Sequence, residues 1–434
     1  MIKKLLEKLA IVALLLYCLG LIIKISTHDD YQWDFWIYYN SARAHAAGLN
    51  PYEVEALSQI TPGPMRNCFA YPPLALYFFR PFTALDFITA SYLFLFLKCL
   101  LSIGLIYLWK KEFLQEKVDA LFYFFCLLAF NATIYIDLGA GNISIIEQFL
   151  LWLAFAFYLK RRWLLFSVFV VIAASFKLVP ILFLGLLWFA DEKKKYWYFA
   201  GGGLAFGVTL LASYIVAPTL FVEFVRDSVG RADWERGIVN PSSLAFFREA
   251  HDLLAAKFGI VASPKILRAL FLVLVATVLS ATWKAYVALK PVHEKHNEKT
   301  LIFLACLVYA LVLPRFKDYS YIILIPPAYF ILKKMGEGKA TLLILATLIY
   351  PPNPVGGILP LPGFDLLARL FSSHYPLLMA YGVWGLYLYD ILRRSANSSE
   401  PEKEPVRSDS RTRKESTLGR NQPTSRVSSH SDIQ

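Results

Sequence analysis

A carboxylate set among aromatic rings, just past an apolar run, is the feature of this chain best suited to chemistry. After a first hydrophobic stretch the sequence reads Asp29-Asp30-Tyr31-Gln32-Trp33-Asp34-Phe35-Trp36-Ile37-Tyr38-Tyr39. Gly48-Leu49-Asn50-Pro51-Tyr52 and Tyr71-Pro72-Pro73 follow. Charge at the end of a transmembrane helix is costly unless water, protein or a substrate meets it, and amphipathic rings settle at the lipid–water boundary. Together they point to chemistry on a molecule anchored in a bilayer. Asp34 is the candidate general base, able to take the proton from a sugar or lipid hydroxyl as that hydroxyl attacks. Trp33, Phe35 and Trp36 would desolvate it and make it more basic. The alternative is that Asp34 or Asp30 only caps the helix that follows. Neither has Glu or Gln three residues later, so the reciprocal capping pattern is missing.

Fixed positive charge is the complement such a site needs if the molecule carries a phosphate, both to hold it and to stabilise it as it leaves. Lys177 interrupts an apolar run at Phe176-Lys177-Leu178-Val179-Pro180, and Arg315 and Lys317 lie in Leu313-Pro314-Arg315-Phe316-Lys317-Asp318-Tyr319. The alternative for Arg315 and Lys317 is snorkelling, or pairing with Asp318. Gly139-Ala140-Gly141-Asn142 precedes another apolar run, with Glu147 a little over one turn inside it. The glycines would let backbone approach a ligand and Asn142 would bind hydroxyls, or the four residues form a tight turn. Arg226, Asp227, Arg231, Asp233, Trp234, Glu235, Arg236 and Asn240-Pro241-Ser242-Ser243 mix charge and ring as sugar-binding surfaces do, and as solvated loops do. Gly201-Gly202-Gly203 lies within an apolar run and fits close helix packing better than a phosphate cradle.

These residues must be carried by a membrane protein. Hydrophobic residues make up 57% of the 434 and charged residues 18%, and the mean hydropathy is +0.49. Apolar runs can be drawn at 9–25, 86–109, 118–134, 143–159, 163–175, 178–190, 196–216, 266–289, 301–313, 319–332, 341–350 and 375–392. The expected fold class is therefore an all-α polytopic bundle of about twelve spans, several of them shorter than the ~20 residues a span usually needs. The net charge of +12 comes in short Lys/Arg clusters at span ends, which marks topology and argues against nucleic acid as a partner. If 163–190 is two spans broken at Pro180 and not one, every cluster falls on the same side. Lys110-Lys111, Lys160-Arg161-Arg162, Lys193-Lys194-Lys195, residues 290–299, Lys333-Lys334 and Arg393-Arg394 are then all cytoplasmic, with both termini inside.

The loops at 26–80, 217–265 and 351–374 are then external, with an amphipathic surface helix at 34–47 closed by Gly48 and a short segment at 74–82. Residues 1–394 form the membrane domain. Residues 395–434, rich in Ser, Arg, Glu and Pro, are expected to be a disordered cytoplasmic tail. Lys3, Lys4 and Lys8 before the first run resemble a signal peptide, but no small-residue cleavage site follows, so the run reads as an uncleaved helix. Cys18, Cys99, Cys126 and Cys306 lie in apolar runs and only Cys68 in a loop, so no disulfide framework or metal spacing is legible. With no set of metal ligands either, no metal or other cofactor is expected.

Asp34 with its aromatic neighbours, Gly48-Leu49-Asn50-Pro51-Tyr52, Tyr71-Pro72-Pro73-Leu74 and Pro81 resemble the first-loop pattern of glycosyltransferase family 87. The Gly139–Asn142 turn and Phe176-Lys177-Leu178-Val179-Pro180 resemble its next landmarks, so the likeness covers about 26–190. The family turn commonly carries Gly-Gln-Asn, from which this chain departs. The resemblance implies a GT-C-like fold and transfer of a hexose, typically mannose, from a polyprenyl-phosphate donor to a lipid or glycan acceptor at the extracytoplasmic face. Asp34 is then the base, and Lys177, Arg315 and Lys317 meet the donor phosphate. Asp30, Tyr38, Asn50, Tyr52, Tyr71, Asn142 and Asn240 are the candidate sugar and acceptor contacts. The setting expected is a bacterial inner membrane. The competing readings are a transporter or flippase, a lipid-linked glycan polymerase or ligase, and a non-catalytic scaffold. No paired, Gly/Pro-broken segments in two halves favour the transporter.

Overall fold

The computed structural model describes residues 2–28, 30–65, 67–114, 119–234, 237–259, 261–289, 297–349 and 370–399, and the regular structure among them is all helical. Five helices are long and apolar enough to cross a membrane: Glu7–Thr27, Phe87–Leu114, Ala120–Ala140, Lys195–Val216 and Pro264–Leu289. Shorter apolar helices lie at Ser144–Leu159, Trp163–Phe176 and Val179–Phe189. Residues 351–369 of the third long loop and the tail from 400 fall outside the described residues, and the last helix, Tyr375–Ser399, runs past the end drawn at 392.

In chain order, α1 is Ile2–Thr27, α2 Trp33–Ala46, α3 Val54–Ser58 and α4 Ala75–Phe79. Next come α5 Phe87–Leu108, α6 Ala120–Ala140, α7 Ser144–Leu159 and α8 Trp163–Phe176. Local chemistry sets several of these ends. The Asp86 carboxylate accepts from Thr89 N at 3.0 Å to start α5, and Asp119 accepts from Phe122 N at 3.3 Å to start α6. Helix α6 runs past the end drawn at 134 because its break is not a stop. Phe130, Asn131 and Ala132 take left-handed backbone (φ 53, 65 and 53°) and the helix then resumes. Such a run of side-chain-bearing residues costs about 1–2 kcal/mol each. It is held from outside, by Thr133 Oγ1 donating to Asp318 O at 2.7 Å and by Phe130 stacking on Tyr321.

The 163–190 stretch is a hairpin. Helix α8 ends at Lys177, which is extended (φ −130°, ψ 122°), and a 3-10 helix at Val179–Phe189 returns, with Pro180 in its first turn. Tyr158 OH, at the far end of α7, donates to Leu186 O at 3.0 Å, so the chain has come back to the end where α7 finished. The basic clusters gather at that end. Lys160 pairs with Glu112 (2.6 Å), Arg161 with Glu298 (3.4 Å), Lys333 with Asp119 (3.0 Å) and Lys334 with Asp390 (3.1 Å). Asp34, Asn142 and Lys177 lie at the opposite end.

One expectation needs correcting. Helix α2 does not lie on a surface, because seven of its fourteen residues are buried, among them Phe35, Tyr38 and Tyr39. Phe35 stacks on Phe94 of α5 (4.5 Å between ring centres) and Tyr38 packs on Phe79 of α4 (4.6 Å). Aromatic faces this large repay burial more than a single-sided interfacial helix would. The remaining helices are α9 Lys195–Val216, α10 Pro218–Trp234, α11 Ser243–Phe258, α12 Pro264–Leu289, α13 Asn297–Val312, α14 Ile325–Lys334, α15 Glu337–Ile349 and α16 Tyr375–Ser399, with a 3-10 helix at Asp318–Leu324 before α14.

Candidate active site

The site forms where the start of α2 meets the end of α6. Gln32, left-handed at φ 63°, donates its main-chain N–H to Gly139 O (2.6 Å) and its Nε2 to Leu138 O (2.7 Å). Those bonds clamp the α2 N-terminus onto the 139–142 turn. Gly141 makes that approach possible. It sits at φ +67°, and a Cβ there would come within 2.6 Å of Gln32 Oε1 and 2.8 Å of Phe35 Cβ. Gly139–Asn142 is thus a tight turn, and it brings Asn142 up to the start of α2.

Asn142 Nδ2 donates to Asp34 Oδ2 at 2.6 Å and lies 2.9 Å from Tyr38 OH and 3.2 Å from Tyr71 OH. The two phenols are 2.8 Å apart. On the other side, Asn142 Oδ1 accepts from Ser144 N (3.0 Å) and Ser144 Oγ (2.9 Å), which fixes the amide orientation through the network. Ser144 Oγ accepts in turn from Lys177 Nζ, which also lies 2.7 Å from Glu147 Oε2 and 5.3 Å from the centre of the Tyr319 ring. One connected network thus runs from Asp34 to Lys177.

Asp34 is half-buried. Burial pushes its proton affinity above the usual carboxylate range, while the Asn142 hydrogen bond and the charges of Lys317, Lys98 and Lys177 hold it back. Burial also raises the Tyr38 and Tyr71 phenols, so both remain protonated donors at neutral pH. In its ionised form, a desolvated carboxylate beside neutral donors is an arrangement that can accept a proton from a bound hydroxyl.

Of the residues expected at the site, the structure brings together Asp34, Tyr38, Tyr71, Asn142 and Lys177, with Lys317 close enough to act on Asp34 electrostatically. Arg315 acts in the same way on Tyr319, whose ring Lys177 faces. Four residues take other places. Asp30 is exposed on the link before α2. Asn50 closes its own turn, accepting from Tyr52 N at 3.0 Å and donating to Glu53 Oε1 at 2.8 Å. Tyr52 supports Tyr71 from behind, its OH donating to Tyr71 O at 2.5 Å. Asn240 is wholly buried and accepts from Phe316 N at 2.8 Å, holding the 314–318 corner.

Three neighbouring bonds share that task with Asn240. Ser242 Oγ donates to Pro314 O (2.7 Å), Ser243 Oγ to Leu311 O (2.9 Å) and Tyr321 OH to Pro241 O (2.6 Å). Asn240→Ala is expected to leave Phe316 N–H buried without its acceptor, at a cost of about 1–3 kcal/mol. Thermal unfolding in detergent would read this as a lower midpoint, and an unchanged midpoint would remove the anchoring role.

Sequence reasoning passed over Lys98 in α5 and Asp137 in the last turn of α6, which pair at 2.8 Å with no exposed side-chain surface. The signal was present, since an ionisable residue inside an apolar run is a candidate functional residue by default.

Glycosyltransferase family 87 matches the chain over residues 69–314, more than half its length. The matched stretch contains Tyr71, Lys98, Asp137, Asn142, Lys177 and Asn240, and runs well beyond the 26–190 region of likeness. Asp34 lies before it, and Arg315 and Lys317 just after. No curated protein matches the chain. With the match covering more than half of an apolar helical chain, the chain belongs to glycosyltransferase family 87, and it is a membrane glycosyltransferase.

Proposed function

We propose that the enzyme moves a hexose, mannose in the first instance, from a polyprenyl-phosphate donor to a hydroxyl of a lipid or glycan acceptor, on the extracytoplasmic side of a GT-C-like bundle of about twelve spans. The observation that carries this reading is the continuous network from the Asp34 carboxylate through Asn142 and Ser144 to the Lys177 ammonium. A base and a fixed cation linked in this way suit a displacement in which one end loses a proton and the other gains charge.

In the reaction, the acceptor oxygen attacks the anomeric carbon as its proton passes to Asp34. The bond from that carbon to the phosphate oxygen breaks, its electron pair stays with the phosphate, and the anomeric centre inverts. The leaving polyprenyl phosphate gains a negative charge, which Lys177, Lys317 and Arg315 are suited to meet. Lys177 is pre-positioned by Ser144 and Glu147, and an ammonium has a third N–H to offer. Tyr38 and Tyr71 orient hydroxyls beside the base. The basic clusters at the far end of the bundle fit the cytoplasmic side and both termini inside. Residues 395–434 fit a cytoplasmic tail, and a bacterial inner membrane is the setting proposed.

The test is transfer in proteoliposomes, with label placed either on polyprenyl-phosphate mannose or on a nucleotide-linked mannose. Label is expected to reach the acceptor from the lipid donor alone. Transfer from the nucleotide donor in the absence of lipid carrier, or translocation of the lipid with no new glycosidic bond, would overturn the proposal.

A further inference from the structure

Behind the Asn142 turn, the Lys98–Asp137 pair has no part in the displacement itself, yet it joins the same framework. Lys98 Nζ lies 2.8 Å from Asp137 Oδ2 and also donates to the main-chain carbonyl of Asp137. That carbonyl accepts from Asn142 N as well, at 3.2 Å. The ammonium and the Asn142 backbone therefore share one acceptor at the C-terminus of α6, where carbonyls lack helical partners and a cation is favourable. Lys98 also lies 5.7 Å from the centre of the Phe94 ring, and Phe94 stacks on Phe35, the residue after Asp34. Helix α5 thus supports both halves of the Asp34–Asn142 contact.

A buried ion pair is a poor choice for packing alone, because apolar residues of the same volume usually hold two helices as well or better. We propose that Lys98 is a positioning residue: its ammonium, anchored by Asp137, clamps the 139–142 turn so that Asn142 meets Asp34, and its positive charge lies behind the base. This rests on the reading of Asp34 as the base.

The charged and titratable groups facing Asp34 are Lys98 from α5, Tyr38 from its own helix, Tyr71 from the first loop and Lys177 at the end of α8. Lys317, Asp318 and Tyr319 face it from the corner before α14. Lys98 is fully enclosed, so its field is little screened by solvent. Without it, Asp34 holds its proton to a higher pH and the acid limb of kcat moves up by about one unit. Loss of the clamp lowers kcat about 100-fold, the order expected of a small misplacement at a reacting centre.

The experiment compares wild type, Lys98→Met, the double variant Lys98→Met with Asp137→Asn, and Asp34→Asn in lipid-donor transfer across pH. Lys98→Met is expected to lose about 100-fold in kcat, with its acid limb shifted up and KM for the donor little changed. The double variant leaves no lone buried ion, so it is expected to recover thermal stability but not kcat, and it decides the matter if the single variant does not assemble. Wild-type kcat in a folded double variant, with Asp34→Asn inactive, would overturn the role of Lys98 alone. Near-normal turnover by Asp34→Asn would overturn the base reading and this inference with it.

Discussion

Asp34→Asn is expected to fold as wild type does and to lose at least about 1,000-fold in transfer, within the range that removal of a general base produces. The amide matches the carboxylate in shape, and its oxygen can still accept from Asn142, so the network need not rearrange. What it cannot do is take a proton. Stability sharpens the test. Burial raises the proton affinity of Asp34 in the folded state, so ionising it costs stability as pH rises through the folded value. That cost is absent below the unfolded carboxylate value and complete only above the raised folded value. The uncharged amide removes it, and the variant should unfold at the same temperature as wild type or slightly higher. Activity carries the opposite sign, since the base works only when ionised. Wild-type kcat should fall as pH drops, with an acid limb above the ordinary carboxylate range. Near-normal turnover by stable Asp34→Asn protein would remove Asp34 from the chemistry.

Much of the framework behind that prediction was legible from residue type. Asp86 before an apolar run, and the basic residues after position 159, placed α5 and α7 almost to the residue. Lys177 and Pro180 marked a break in 163–190, and the Lys/Arg clusters, which fall on one side only if that stretch is two spans, marked it as a hairpin. The unread parts depend on contacts distant in sequence. Of Phe130–Ala132 only Asn131 is a type that favours left-handed backbone, too little to mark three such residues in a row; the partners that hold them lie near position 320. Asp34 and Asn142 were each singled out, but their bond spans 108 positions and needs the close approach at Gly141. Asn240 was read as a ligand contact because its loop mixes charge and aromatic rings as sugar-binding surfaces do. In the structure it is wholly buried and holds another loop. Helix α2 was read as interfacial because its rings suit lipid headgroups, and the same rings suit a core equally well.

Lys177→Met should reduce the chemical step by about 100- to 1,000-fold, the loss seen when one charge-stabilising donor is removed from a reacting centre. The side chain is placed to act on the leaving group, held by Ser144 and Glu147 and facing the Tyr319 ring from 5.3 Å. A second effect must be separated from this one. Glu147 is nearly fully buried, and loss of Lys177 leaves it unpaired, which typically destabilises by about 3–5 kcal/mol. Lys177→Met with Glu147→Gln removes that penalty, since the amide needs no counter-ion. If Lys177 serves the leaving phosphate, the double variant regains its thermal midpoint yet stays slow in single-turnover transfer. Its loss should be smallest with a donor whose leaving phosphate is less basic, because such a group needs less help to depart. If Lys177 only neutralises Glu147, stability and turnover return together and the loss is the same for every donor. The cations at the 315–317 corner would then have to meet the developing charge by themselves. Lys177→Arg separates charge from geometry: a guanidinium keeps the charge but spreads it over a planar fork. It is therefore expected to fall between wild type and Lys177→Met.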